Sequence, residues 1–268
     1  MTAAPRRPAR PPAGADPGPD ESVDQLFGPW WIYQLRRGHR FSTDDLVCAW
    51  EAARARPDAR RCLDLGCGTG SVGLYTLGLL GHADATLVGL EAQEVSVGLY
   101  RRTLRLNGLE HRVTVHQGDL RDPQALPEGA RFPLITGSPP YIPVGKGAIS
   151  PHPQRAHCRI ELRGSIYDYC STAARHLAPG GAFVFVMAAA DPRTEDAPLQ
   201  AGLVVTRRLD VVFREGSDPL IAVLTCEKAG PSTSAARATD TLVVRDHSGH
   251  HTEAYAALRR TAQLGGPP

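Results

Sequence analysis

The stretch Leu63-Asp64-Leu65-Gly66-Cys67-Gly68-Thr69-Gly70 closes a short apolar run, and a helical pattern begins at Ser71-Val72. Glycines at alternate positions let a backbone turn sharply, approach a ligand closely and enter a helix whose first N–H groups are still unpaired. This junction commits the chain to a strand–loop–helix unit, and downstream short apolar runs keep alternating with helical patterns, the signature of a parallel sheet. Strands are expected at Cys62 to Leu65, Thr86 to Leu90, Val113 to His116, Phe132 to Thr136, Ala182 to Met187, Val204 to Phe213 and Ile221 to Cys226. Helices are expected at Val72 to Leu80, Glu94 to Leu106 and Ile166 to Leu177, the last stopped by Pro179-Gly180-Gly181. No helical pattern separates the final two strands, which flank the turn-rich Arg214-Glu215-Gly216-Ser217-Asp218-Pro219, so they should pair as an antiparallel hairpin. The expected fold class is α/β and Rossmann-like: seven strands, mostly parallel, with an antiparallel terminal hairpin strand and helices on both faces.

The 268 residues, 42% of them hydrophobic, suffice for one substantial core. Residues 1–24 are rich in proline and arginine and read as a disordered tail, 25–229 as the domain, 230–240 as a linker, and 241–264 as a strand–helix extension of the same domain. The six cysteines form no Cys-x-x-Cys pair and no signal-like apolar segment precedes them, so reduced thiols and a cytoplasmic location are expected. Nothing approaches the roughly 20 apolar residues of a membrane-spanning helix. The net charge of +2 is too small to point to nucleic acid by itself.

Two readings compete for the glycine loop. Gly68-x-Gly70-x-x-Gly73 with Glu91 further on fits a dinucleotide fingerprint. Gly66-x-Gly68-x-Gly70 with Asp64 just ahead fits the nucleoside loop of S-adenosylmethionine enzymes. Asp64 favours the second, since a carboxylate suits a cofactor carrying an ammonium and a sulfonium and repels a pyrophosphate. Glu91 after the second strand can accept both ribose hydroxyls, and Asp119, beside Leu120 after the third, is placed for the adenine amino group. All fall at the carboxyl ends of strands, where open α/β sheets bind ligands.

Ser138-Pro139-Pro140-Tyr141 follows the fourth strand. An exocyclic amino group or a side-chain amide is a poor nucleophile because its lone pair is delocalised. Two fixed acceptors, the Ser138 hydroxyl and the Pro139 carbonyl, can grip its hydrogens and localise that pair, Pro140 stiffens the backbone, and Tyr141 offers a stacking face.

These motifs resemble the amino-directed class I S-adenosylmethionine-dependent methyltransferases. Tyr33-Gln34-x-x-x-Gly38-x-Arg40-Phe41-Ser42-x-Asp44, Arg159-x-Glu161 and Leu242-Val243-Val244-Arg245-Asp246-x-x-Gly249-x-x-Thr252 are similar to bacterial tRNA adenine-N6-methyltransferases that modify the adenine beside a valine-tRNA anticodon. The resemblance covers roughly residues 26 to 264. It implies methyl transfer from S-adenosylmethionine to an exocyclic amino group, adenine N6 of a tRNA first, with Phe41 and Thr43 closing over the methionine end of the cofactor. That family usually has asparagine at position 138; serine there also occurs in cytosine-N4 DNA methyltransferases. Protein-glutamine N5 methylation, DNA cytosine-N4 or adenine-N6 methylation, and a non-catalytic cofactor- or RNA-binding role therefore stay open. The chain leaves no block for a DNA target-recognition domain, and few residues precede the sheet for a protein-recognition domain.

Residues 142–160 contain Lys146, Arg155 and Arg159 and no acid, so this segment is expected to contact RNA phosphates. Arg101, Arg102, Arg105 and Arg112 read as a solvated face, and His247, His250 and His251 as a surface turn without metal. No obligate protein partner is expected.

Overall fold

The structure is a computed structural model that describes residues 10–230 and 237–262. The chain opens with β1 (Glu21–Phe27), β2 (Trp30–Leu35) and α1 (Thr43–Ala55), then runs through β3 (Arg61–Leu65), α2 (Ser71–Leu80), β4 (Thr86–Glu91), α3 (Glu94–Asn107), β5 (Val113–Gln117) and β6 (Phe132–Gly137). It continues with α4 (Pro153–Arg159), α5 (Ile166–His176), β7 (Leu177–Ala188), α6 (Arg193–Gln200), β8 (Leu203–Val212), β9 (Ile221–Lys228), β10 (Ala238–Val243) and α7 (Glu253–Thr261).

Eight strands form the main sheet in the order β10-β8-β9-β7-β6-β3-β4-β5. β9 alone runs antiparallel to its neighbours, pairing with β7 and β8, while the remaining contacts are parallel. All seven expected strands are present and the expected β8–β9 hairpin forms. The eighth strand, β10, comes from the C-terminal extension and lies along the outer edge of β8. Alternation along buried strands sorts side chains to two faces. Val184 and Val186 join Leu46, Leu74, Leu77 and Leu104 of α1, α2 and α3. Phe183, Phe185 and Met187 join Ile166 and Ala173 of α5 and Ala197 of α6.

One boundary needs correction. The segment 1–24, expected to be a disordered tail, is ordered where it is described: β1 starts at Glu21, the Tyr33 hydroxyl accepts from the Asp16 backbone N–H at 3.0 Å, and Arg102 pairs with Glu21 at 2.7 Å. Residues 1–9 lie outside the described residues. The physical reason is that β1 and β2 pair as an antiparallel ribbon that rests on α3. There Asn107 accepts from Trp31 N and donates to Trp31 O, and Thr103 Oγ1 accepts from Tyr33 N. Most of the linker 230–240 also falls outside the described residues, and β10 begins within it at Ala238.

Chain order explains where a site forms. From β3 the sheet grows outward through β4 to β5, then returns to the other side of β3 with β6, so the crevice at the carboxyl ends of β3 and β6 is the switch point of the topology.

Candidate active site

The glycine loop joins β3 to α2 at that switch point. Gly66, Gly68 and Gly70 all have positive φ, at 60°, 55° and 97°. The reasons for glycine differ. A Cβ on Gly66 would stand 1.9 Å from the Tyr169 hydroxyl, whereas a Cβ on Gly68 would meet nothing within 4 Å. Gly66 is therefore demanded by packing, while Gly68 faces open space on the cavity wall.

Asp64 is 1% exposed and accepts from Gly73 N at 3.0 Å and Thr136 Oγ1 at 2.8 Å, tying β3 to α2 and β6. Burial pushes its carboxyl up to about 7. Glu91, 6% exposed, accepts from Gly68 N at 2.9 Å through one oxygen and from Gln93 N at 2.7 Å through the other. Each oxygen keeps a second lone pair. Burial raises the Glu91 carboxyl too, against the opposing backbone hydrogen bonds.

Asp64, Gly66, Gly68, Glu91, Gly118 and Leu120 line a narrow cavity of about 80 Å³ together with Phe41, Ser138 and Pro140. Asp119 does not line it: its carboxylate takes a bidentate pair from Arg121, at 2.9 and 2.6 Å, which holds it below the ordinary carboxylate range. Gly118 and Leu120 make the wall on that side instead. Thr43 likewise lies away from the cavity, with its hydroxyl 3.0 Å from the Tyr255 hydroxyl, whereas Phe41 is on the cavity wall.

A second cavity, about 570 Å³, lies against the first. Ser138, Pro139 and Tyr141 form its floor, and Arg36, Arg37, Arg40, Arg155 and Arg159 its rim. Five side chains border both cavities: His39, Phe41, Asp45, Ser138 and Cys158. Pro139 and Pro140 are buried, and the tetrapeptide is anchored just beyond Tyr141, where Ile142 N donates to Arg159 O and Ile142 O accepts from Glu161 N, both at 3.0 Å. Glu161 in turn pairs with Arg193 at 2.7 Å, and Arg193 with Asp191. Among the described residues, neither the Ser138 hydroxyl nor the Pro139 carbonyl has an intramolecular hydrogen-bond partner. The Tyr141 hydroxyl donates to Asp44 Oδ2 at 3.1 Å, and burial together with Asp44 keeps the phenol protonated far above neutral pH. Asp44 also accepts from the Ser42 hydroxyl.

Of the basic residues expected to face a substrate, Arg155 and Arg159 are on the rim; Lys146 is exposed and off it. Sequence reading missed Arg36 and Arg37, which the β1–β2 ribbon delivers to the same rim. It also missed Asp45, Gln93 and Gln154. Gln154 Oε1 accepts from His39 N at 2.7 Å and its amide donates to Ser96 at 3.4 Å, laying α4 along the narrow cavity as a wall. The one available signal for Asp45 was its place three residues after Ser42 at a helix start, which predicts only a cap. The expected solvated cluster on α3 is partly structural, since Arg102 binds Glu21 and stacks 4.2 Å over Tyr33. His247, His250 and His251 form no metal-ligand group among the described residues.

The donor set suits a nucleoside cofactor with positive charge: a ribose-competent Glu91, open space at Gly68, and buried carboxylates at Asp45 and Asp64 with no ion-pair partner among the described residues. The cavity is well below the roughly 300 Å³ of a typical ligand pocket.

Fold and site together define a class I, S-adenosylmethionine-dependent methyltransferase, and comparisons with known proteins agree. Residues 46–150 match the family model of the methyltransferase small domain. Among curated proteins, the chain is 27% identical over 245 residues to the tRNA1(Val) (adenine(37)-N6)-methyltransferase of Salmonella enteritidis, covering 89% of this chain and 94% of that one. It is 33% identical over 145 residues to the release factor glutamine methyltransferase of Geobacter sulfurreducens, a match that spans 52% of this chain and about half (49%) of that relative. Among solved structures, a predicted O-methyltransferase from Agrobacterium tumefaciens superposes with a TM-score of 0.60 at 20% identity, covering 82% of this chain and 97% of that one, a likeness of fold alone. No described helix is long and apolar enough to cross a membrane.

Proposed function

We propose that this protein methylates an exocyclic amino group of a nucleic acid, and that the acceptor is adenine N6 in a tRNA. S-adenosylmethionine supplies the methyl group. Gly68, Glu91, Leu120, Phe41 and Asp64 hold it in the narrow cavity. The target base enters the wider one and lies against Tyr141, whose ring Asp44 fixes. The Ser138 hydroxyl and the Pro139 carbonyl, both free to accept, take the two amino hydrogens and turn the nitrogen lone pair toward the cofactor cavity. No strong base is needed to start the reaction, because the sulfonium is a good leaving group.

The observation that carries the nucleic-acid reading is the rim. Arg36, Arg37, Arg155 and Arg159 have no side-chain partner among the described residues. Four unpaired guanidiniums at the mouth of a cavity are a costly surface for an uncharged peptide and a fitting one for phosphates on either side of a splayed-out nucleotide. A flipped or single-stranded base reaches Tyr141 most easily from a loop. The near full-length match to a tRNA methyltransferase supports this reading over the glutamine reading, whose match spans half of the chain.

The test is transfer of labelled methyl from S-adenosylmethionine to total tRNA, to DNA and to release-factor protein, followed by nucleoside mass spectrometry. N6-methyladenosine in tRNA is expected; label confined to protein or DNA overturns the reading.

A further inference from the structure

Methylating a neutral amino group creates one proton that has to leave, and the grip of Ser138 and Pro139 provides no anion to receive it. Besides Glu91, which borders only the narrow cavity and is held by Gly68 N and Gln93 N, three carboxylates line the cavities. Asp44 is committed to Tyr141 and Ser42, and Asp64 is knotted between Gly73 and Thr136 behind the glycine loop. The third, Asp45, is 6% exposed and is the sole carboxylate that borders both cavities. One of its oxygens accepts from Ser42 N at 2.7 Å and the other from Ser71 Oγ at 3.2 Å, which fixes the group and leaves a lone pair on each oxygen. No cation pairs with it among the described residues.

Resting on the amino-methyltransferase reading, we propose that Asp45 is the proton acceptor of this site. As the nitrogen–carbon bond forms and the carbon–sulfur bond breaks with its electron pair staying on sulfur, the surplus proton on nitrogen passes to a carboxylate oxygen of Asp45. It leaves to solvent through the wider cavity.

The electrostatics give this timing. Burial, with Asp44 and Asp64 adding repulsion, pushes the Asp45 carboxyl up to about 7. Also facing it are Tyr75 from α2, Tyr141 from the loop after β6, Cys158 from α4, Cys48 from its own helix, and His39 across the shared boundary. A sulfonium at the junction of the cavities favours the anion. Loss of that charge on transfer restores the carboxyl's affinity for a proton at the step that releases one.

Two measurements test this, one without turnover. By calorimetry at pH 7 in two buffers of different ionisation enthalpy, wild type should release protons on binding S-adenosylmethionine and fewer on binding its neutral thioether product; Asp45→Asn should abolish most of that difference. Equal proton release for the two ligands in wild type overturns the proposal and needs no variant. In turnover with the methyl acceptor, Asp45→Asn should lower kcat about 10²-fold, the lower end of general-base effects, and lose the acid limb of the pH profile, with KM for the acceptor little changed. Asp45→Glu should recover the limb. A kcat within twofold of wild type at all pH values, or full recovery of kcat at saturating cofactor, shows that Asp45 is not the acceptor. If wild type transfers methyl only to a group other than an amino nitrogen, the functional reading fails, and the binding result stands separately as evidence of a charge-sensing carboxylate.

Discussion

Gly66 and Gly68 separate what the fold needs from what the ligand needs. Both backbones are left-handed, which costs a side chain about 1 to 2 kcal/mol. Gly66→Ala adds a collision with Tyr169, so it should lower the melting temperature sharply or abolish soluble protein. Gly68→Ala has space for its methyl group within the protein; it should stay folded, with its loss concentrated in cofactor affinity measured by calorimetry. At the catalytic loop, Tyr141→Ala should abolish transfer while leaving cofactor affinity within about threefold. Tyr141→Phe keeps the ring and loses its hydrogen bond to Asp44, worth about 1 kcal/mol, so kcat should fall only about fivefold. A Phe variant as inactive as the Ala variant would show that the hydroxyl, and not the stacking face, does the work.

At the scale of elements, the arginine rim is assembled from the exit of the β1–β2 ribbon and from α4, two pieces far apart in sequence. Reversing Arg36 and Arg37 together, or Arg155 and Arg159 together, to glutamate should raise KM for RNA strongly while leaving cofactor affinity unchanged. Each lost contact to single-stranded phosphate should take about 0.7 from the slope of log K against log salt. Unchanged slopes would remove phosphate contact from the account. The inner strands β3, β6, β7 and β9 were legible because they are mostly buried on both faces and carry nearly continuous apolar runs. The ribbon was not: Glu21–Phe27 alternates weakly, with Gln25 and Asp24 among its apolar residues, and its stability comes from Asn107 and Thr103 of α3, some 70 or more positions away. The site showed the same division. Local signals pointed to the loop, Glu91, the Ser-Pro-Pro-Tyr segment, Arg155 and Arg159, which the fold brings to the walls of the two cavities. Asp119 followed the strand-end rule, but its neighbour Arg121 claims the carboxylate, a contact that position alone does not reveal. Asp45 looked like an ordinary acid in the first turn of a helix, and only the tertiary fold puts it between two cavities.

For the molecule as a whole, the buried carboxylates raised by desolvation, Asp45, Asp64 and Glu91, set a pH dependence with a defined sign. Asp45 and Asp64 are pushed up to about 7, above the roughly 3.9 of an unfolded aspartate, so the fold favours their protonated forms. That contribution is complete below pH 4 and is lost as pH rises through 7. The half-buried His157 and the buried His176 are shifted down by desolvation and act in the opposite sense, so the cleanest observable is a difference between proteins. Asp45→Asn should melt about 2 to 4 °C above wild type at pH 8 and close to it at pH 5, for a gain on the order of 1 kcal/mol. A gain that does not vary with pH would contradict the buried-acid account. Catalytic competence is thus held at some cost in stability, as expected where charge is kept for a cationic ligand.

The most direct test of the central claim, that free acceptors at Ser138 and Pro139 beside an arginine rim present a nucleic-acid amino group for methylation, is mass spectrometry of nucleosides from tRNA incubated with the purified protein and S-adenosylmethionine. We predict N6-methyladenosine, lost with Tyr141→Ala and strongly reduced by reversal of the rim arginines. Methylated glutamine in protein with no modified nucleoside, or modification that survives both changes, would contradict it.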